Sequence, residues 1–308
     1  MTSLRILMVG AGAVGGYFGA QLVAAGRDVT FFVREPRAAV LRRDGLRIHA
    51  PEGDFTVTPT VITRDEVHKS YDLVIVTVKA FGLDAAIDDF APAVGPHTRV
   101  LPLLNGMRHL DVLRERFGSD RVLGGCCVVA AQQENDGSIR RLYGEASVTY
   151  GGLAEGTADA ERLAGIDAAL SGAGFATRLS AAVELDMWEK WLLLASAGAA
   201  TCLMRGTIGE IVAVPGGERT VRAIIAETKA VATAAGFEPR EKAVVRTETM
   251  LTQEGSAFTT SMYRDMLQGF SVEADHILGD LVDRAHRLAV PVPLLTAAST
   301  TLAVYSAR

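Results

Sequence analysis

Over roughly the first 175 residues, short β-branched apolar runs alternate with helical stretches, the pattern of a parallel sheet covered by helices. Residues 6–9 (ILMV) predict a first strand, followed by a glycine turn and a helix through Ala25, which Gly26 ends as a C-terminal cap. Residues 29–33 predict a second strand. The stretch 73–78 (LVIVTV) is continuously apolar, as strands buried on both faces are, and 99–104 and 122–130 read as two more. Residues 138–152 alternate more and carry turn residues, which predicts antiparallel strands at the sheet edge. After about Ser180 the texture changes to helical periodicity, with stops at Gly236 and Pro291 and no convincing strand. Helices are expected near 182–204, 217–235, 240–252, 273–289 and 293–305. The expected fold class is therefore α/β: a doubly wound parallel sheet over residues 1–180 and an all-helical domain over 181–308.

A length of 308 residues accommodates two cores of this kind. The net charge of −5 argues against a nucleic-acid or anionic-membrane partner, which would require a basic face. The apolar stretch 191–204 has 14 residues, short of the roughly 20 that a membrane span needs. Met1-Thr2-Ser3-Leu4-Arg5 runs into the first strand without a signal peptide, so a cytoplasmic protein is expected. Three cysteines, two of them adjacent (Cys126 and Cys127), make no disulfide framework and read as small buried hydrophobes in a reducing compartment.

The strongest local signal is Gly10-Ala11-Gly12-Ala13-Val14-Gly15, a G-x-G-x-x-G between a strand and a helix. Gly10 makes the tight turn, Gly12 lets a pyrophosphate approach the backbone, and Gly15 lets helix pack on strand. Free amides at the helix start, from Ala13 and Val14, then face the phosphates. The motif makes the first domain Rossmann-type and implies a dinucleotide cofactor. Arg34, at the end of the second strand, stands where an NADP site places a phosphate-binding arginine, and its planar guanidinium suits a phosphate. Glu35 beside it keeps NAD open, because a shift of one residue would make it the ribose-binding acid. Arg34 and Arg37 as plain solvated loop charges is the remaining alternative. Lys79 and Asn105-Gly106 follow the third and fourth expected strands at their carboxyl ends, where ligands of open α/β sheets bind. A surface lysine and an ordinary turn are the alternatives there.

Taken together, GAGAVG, Val78-Lys79-Ala80, Leu104-Asn105-Gly106-Met107, Trp188-Glu189-Lys190, Thr260-Ser261-Met262 with Asp265, and Glu273 make the chain resemble the ketopantoate reductase family over nearly its whole length. The twelve-residue separation of Ser261 from Glu273 matches the family's spacing. The resemblance implies an NADP-dependent oxidoreductase that reduces a 2-oxo acid to a 2-hydroxy acid in pantothenate biosynthesis, with a homodimer left open. It implies Lys190 as general acid, Glu273 as the residue that positions substrate and lysine, and Asn105 beside the nicotinamide and the active site. Ser261 would help bind the substrate carboxylate, and Arg34 would contact the 2′-phosphate. The chemistry agrees, since a ketone being reduced develops negative charge on oxygen that an ammonium both stabilises and protonates. The plainer alternatives are a lysine snorkelling from an apolar helix, a solvated helix face at Glu273, and a helix cap at Ser261.

One departure bears on the substrate. The family carries asparagines four and eight residues after the lysine and a third further on, where this chain has Leu194, Gly198 and Ile208. A site without its hydrogen-bond partners discriminates against a polar substrate that needs them, so a less polar 2-oxo acid or ketone is the alternative substrate. Leu194 counts equally against the β-hydroxyacid dehydrogenases, which share the two-domain plan. A catalytically silent NADPH-binding regulator is the rival of another class, opposed by the retention of Lys190 and Glu273. The six histidines make no H-E-x-x-H spacing, and neither a P-loop nor G-x-S-x-G is present.

Overall fold

The computed structural model describes residues 4–153 and 159–307; Met1–Ser3, read above as leading into the first strand, lie outside them. The chain divides into two compact units, one running to Leu104 and resuming over His109–Val183, the other made of Asn105–Arg108 with the residues from Glu184 on.

Strands of the first unit are β1 (Arg5–Val9), β2 (Asp28–Phe32), β3 (Leu46–His49), β4 (Phe55–Val57) and β5 (Thr60–Ile62). They continue with β6 (Leu73–Val76), β7 (Arg99–Pro102), β8 (Leu123–Gln133), β9 (Ile139–Gly152) and β10 (Ala176–Leu179). Helices α1 (Ala13–Ala24), α2 (Glu35–Asp44), α3 (Leu83–Phe90), α4 (Arg108–Phe117) and α5 (Ala160–Leu170) connect them. The parallel sheet has the order β5-β2-β1-β6-β7, with Ile6 beside Val29 on one side and Leu73 on the other. Strand order reverses about β1, so the crevice at a topological switch point opens beyond the carboxyl ends of β1 and β6. The buried runs of β1, β6 and β7 are covered on both faces, as continuous apolar strands require.

Two expectations need correction. Residues 138–152 are not strands at the edge of the parallel sheet, and 122–130 touches that sheet only at its start, where Val122 bridges Val100 of β7 in parallel. They form β8 and β9, a long antiparallel pair in a second sheet of order β10-β9-β3-β4. The alternation of β9 did signal antiparallel pairing, but the partners that make a separate sheet, β3, β4 and β10, are three or four residues long. Strands that short carry no period to detect.

The second unit is helical: α6 (Val183–Met204), α7 (Ile208–Val212), α8 (Gly217–Ala234), α9 (Glu241–Leu251), α10 (Ser261–Leu267), α11 (Asp280–Arg287) and α12 (Pro293–Ser306). A π-turn, Asp275–Gly279, leads into α11. Helix α6 is buried nearly all round beyond its second turn, and its inward Ser196 hydroxyl is satisfied by Thr228 at 3.2 Å. Among the described residues no helix is long and apolar enough to cross a membrane. The short helices α7 and α10 were not expected from periodicity. Each begins at a threonine cap: Thr207 forms a capping box with Glu210, and Thr260 accepts from the Tyr263 amide.

Candidate active site

In the first unit the glycine loop leaves β1 with Gly10 at φ +100°, a conformation that L side chains rarely adopt. Its amide donates to Phe32 O at 3.0 Å, tying the turn to β2. Gly15 has no room for a side chain, because a Cβ there would collide with Thr77 Oγ1 and Gly10 O. Gly12 differs: a Cβ there would find only Gln133 Oε1, at 4.0 Å. Protein packing therefore does not require glycine at position 12, and the backbone there is open to close approach by a ligand. Helix α1 begins there with no side-chain cap and no acidic residue in its first turn. Its leading amides, including those of Ala13 and Val14, have no partners within the helix and carry its positive end. The loop fits a dinucleotide pyrophosphate.

Two residues that sequence reasoning missed hold this loop. The Thr77 hydroxyl, just beyond β6, donates to Val9 O at 2.9 Å. Arg37 is not a solvated loop charge. Its Nε and Nη2 donate to Ala11 O at 3.1 and 2.9 Å, and its Nη1 donates to Gly137 O at 2.7 Å. Burial lowers the pKa of its guanidinium from the ordinary arginine value. The threonine within an otherwise aliphatic run was a visible signal. The role of Arg37 was not, because Gly137 lies 100 residues away.

Arg34 is exposed and stands at the N-cap of α2, with no hydrogen bond or ion pair of its guanidinium among the described residues. Its Nη2 lies 3.8 Å from where a Cβ on Gly82 would be, so it reaches toward the turn that follows the exposed Lys79. Glu35 is the acidic residue in the first turn of α2, where a helix dipole favours a carboxylate.

In the second unit Lys190 and Asn105 meet: Lys190 Nζ donates to Asn105 Oδ1 at 2.8 Å. Lys190 lies in the second turn of α6 and is half-buried. Glu189 and Asp186 on the same helix grip Arg240. Its backbone amide and Nε donate to Glu189 Oε1 at 2.8 and 2.6 Å, its Nη2 donates to Glu189 Oε2 at 2.6 Å, and Nη2 also bonds Asp186. Such charge-assisted fork contacts fix geometry, and they raise the Arg240 pKa, Glu189 contributing most and Asp186 next.

Glu273 is half-buried and stands two residues ahead of the π-turn. Ser261 is exposed at the first helical position of α10; the capping oxygen is that of Thr260, so Ser261 is not the cap. Leu194 and Gly198 follow Lys190 along one face of α6. A Cβ on Gly198 would lie 2.6 Å from Met262 Cε, so the Met262 thioether fills the room that the glycine leaves. Ile208 is fully buried at the start of α7 and belongs to the core.

Compared with known families, residues 6–155 match "Ketopantoate reductase PanE/ApbA" and residues 182–306 match "Ketopantoate reductase PanE/ApbA C terminal". The chain is 33% identical over 306 residues to the uncharacterized oxidoreductase YkpB of Bacillus subtilis (strain 168), covering 99% of this chain and 100% of that one. It is 33% identical over 296 residues to the 2-dehydropantoate 2-reductase of Halobacterium salinarum, covering 94% and 95%. A solved D-mandelate dehydrogenase, in ternary complex with NADH and anilino(oxo)acetate, superposes with a TM-score of 0.87 over 99% of both chains; at 21% identity this likeness is one of fold alone.

Proposed function

The chain belongs to the ketopantoate reductase PanE/ApbA family of oxidoreductases, and from that premise we propose that it reduces a 2-oxo acid to the 2-hydroxy acid with NADPH. The observation that carries this reading is the bond from Lys190 Nζ to Asn105 Oδ1. It holds an ammonium in one place on a buried helix rather than leaving it to snorkel into solvent.

When bound, the reduced nicotinamide supplies the hydride to the carbonyl carbon. Lys190 gives its proton to the carbonyl oxygen and stabilises the charge that develops there, then regains a proton from water. Asn105 keeps the ammonium aimed, and Glu273 positions lysine and substrate. Ser261, exposed and not used as a cap, binds the substrate carboxylate. Gly10, Gly12 and Gly15, with the amides of Ala13 and Val14, cradle the pyrophosphate; Arg34 takes the 2′-phosphate, and Lys79 adds positive charge at the mouth of β6. Residues 1–180 bind cofactor and 181–308 bind substrate.

A second reading, within this one, concerns the substrate's tail. Met262 packed on Gly198, with Leu194 one turn from Lys190, makes an apolar wall where the family places asparagines. That favours a 2-oxo acid with an apolar tail over one with a terminal hydroxyl. NADPH oxidation with a panel of 2-oxo acids, with and without a hydroxyl, tests both readings; no turnover of any member would overturn the function.

A further inference from the structure

Two contacts of the helical unit converge on one short segment. The π-turn Asp275–Gly279 is wider than an α-helix and closes with the Asp280 amide on Asp275 O. Widening of this kind tilts carbonyls out of the regular ladder and occurs often at functional sites. Ile277 O accepts the Trp191 Nε1–H at 3.0 Å. Trp191 is 1% exposed, and a buried indole needs such an acceptor. The preceding carbonyl, that of His276, faces Gly106: a Cβ there would lie 2.7 Å from His276 O and 3.4 Å from His276 Cδ2. Gly106 also has φ +79°, so position 106 excludes a side chain on two independent grounds.

Trp191 follows Lys190, Gly106 follows Asn105, and Glu273 stands two residues ahead of the turn. We infer that the π-turn sets the geometry of the Lys190–Asn105 pair, with Trp191 and Gly106 as positioning residues that act through it. The kinetic part of this inference rests on Lys190 being the proton donor; the geometric part does not. In a regular α-helix each residue advances about 100° about the axis, so removing the extra residue of the π-turn would re-aim the carbonyls at His276 and Ile277 together. One of the two segments would then lose its seat.

The test uses the full chain and a matched pair of substitutions. Trp191→Phe removes the indole N–H and keeps an aromatic ring. Trp188→Phe makes the same chemical change in the neighbouring ring, 4.9 Å away, which makes no contact with the π-turn carbonyls among the hydrogen bonds described. Crystal structures without cofactor should show Lys190 Nζ and Asn105 Oδ1 separated beyond the roughly 3.5 Å hydrogen-bond limit in Trp191→Phe and bonded in Trp188→Phe. In turnover, Trp191→Phe should lose about tenfold in kcat, the consequence of a misplaced Lys190 ammonium, with KM and cofactor affinity unchanged. Gly106→Ala should part the same pair from the other side, and it carries the test if Trp191→Phe does not fold. An intact Lys190–Asn105 bond in the folded variants, or an equal loss of kcat in Trp188→Phe, overturns the inference. Normal turnover in Lys190→Ala would instead overturn the proton-donor reading and leave the geometric test standing.

Discussion

Lys190 Nζ and Asn105 Oδ1 lie 2.8 Å apart although 85 residues separate them in the chain. The bond fixes the ammonium at one position, from which it can donate to a substrate oxygen. Lys190→Ala is therefore expected to lower kcat by about 10²–10⁴-fold, the usual worth of a positioned proton donor, with NADPH binding unchanged. Stopped-flow single turnovers alongside cofactor titration separate the two effects. A near-normal rate would remove Lys190 from the chemistry.

Arg34 and Arg37 should behave differently although three residues separate them. Arg34→Ala should erase most of a preference for NADPH over NADH, since a charged hydrogen bond is worth about 1.5–3 kcal/mol, or some 10–150-fold. Arg37→Ala should weaken both cofactors alike, because its guanidinium holds Ala11 O in the glycine loop and touches no 2′-phosphate in this reading. Fluorescence titration of both cofactors against both variants is the measurement. Equal affinity of the unmutated protein for NADPH and NADH would transfer the assignment to Glu35.

On the proposal that Leu194, Gly198 and Met262 wall the substrate's tail, a substrate preference follows. A buried hydroxyl without a partner costs about 1–3 kcal/mol, so 2-oxoisovalerate should show a higher kcat/KM than ketopantoate, which carries an additional hydroxymethyl group. Ketopantoate ahead by about a hundredfold or more, the upper end of what one paired buried hydroxyl is worth, would mean that other groups or ordered water replace the asparagines.

Cys202 offers a pH test of the helical core. Burial pushes its thiol up to about 12. The folded state thus favours the protonated thiol, and that contribution is complete below the ordinary thiol value near 9 and is lost as pH rises from there towards 12. Urea unfolding at pH 8 and pH 11 should show a larger fall in stability for the unmutated protein than for Cys202→Ala. Identical falls would show that the thiol does not ionise on unfolding in this range. Over the same range Cys126, partly exposed, should be alkylated before the buried Cys127 and Cys202.

Much of this protein was determined locally. The continuous apolar runs that became β1, β6 and β7 find cover on both faces only in a parallel sheet, and Gly10, Gly12 and Gly15 sit where strand passes into helix. The helical period carried α6, α8, α9 and α12 to within a residue or two of their ends, because each buries one face or is buried all round. Tertiary structure decided the rest. Strands β3 and β10 are too short to hold without β9, with which they pair, and β4 is held in turn by β3. Arg37 is drawn to carbonyls 26 and 100 residues away. Met262 fills a void opened by a glycine on another helix, and the π-turn exists where Trp191 and Gly106 engage its carbonyls. Periodicity reports the solvent side of a single element, whereas hydrogen bonds between distant segments depend on which elements pack together, and that is settled only when the core closes.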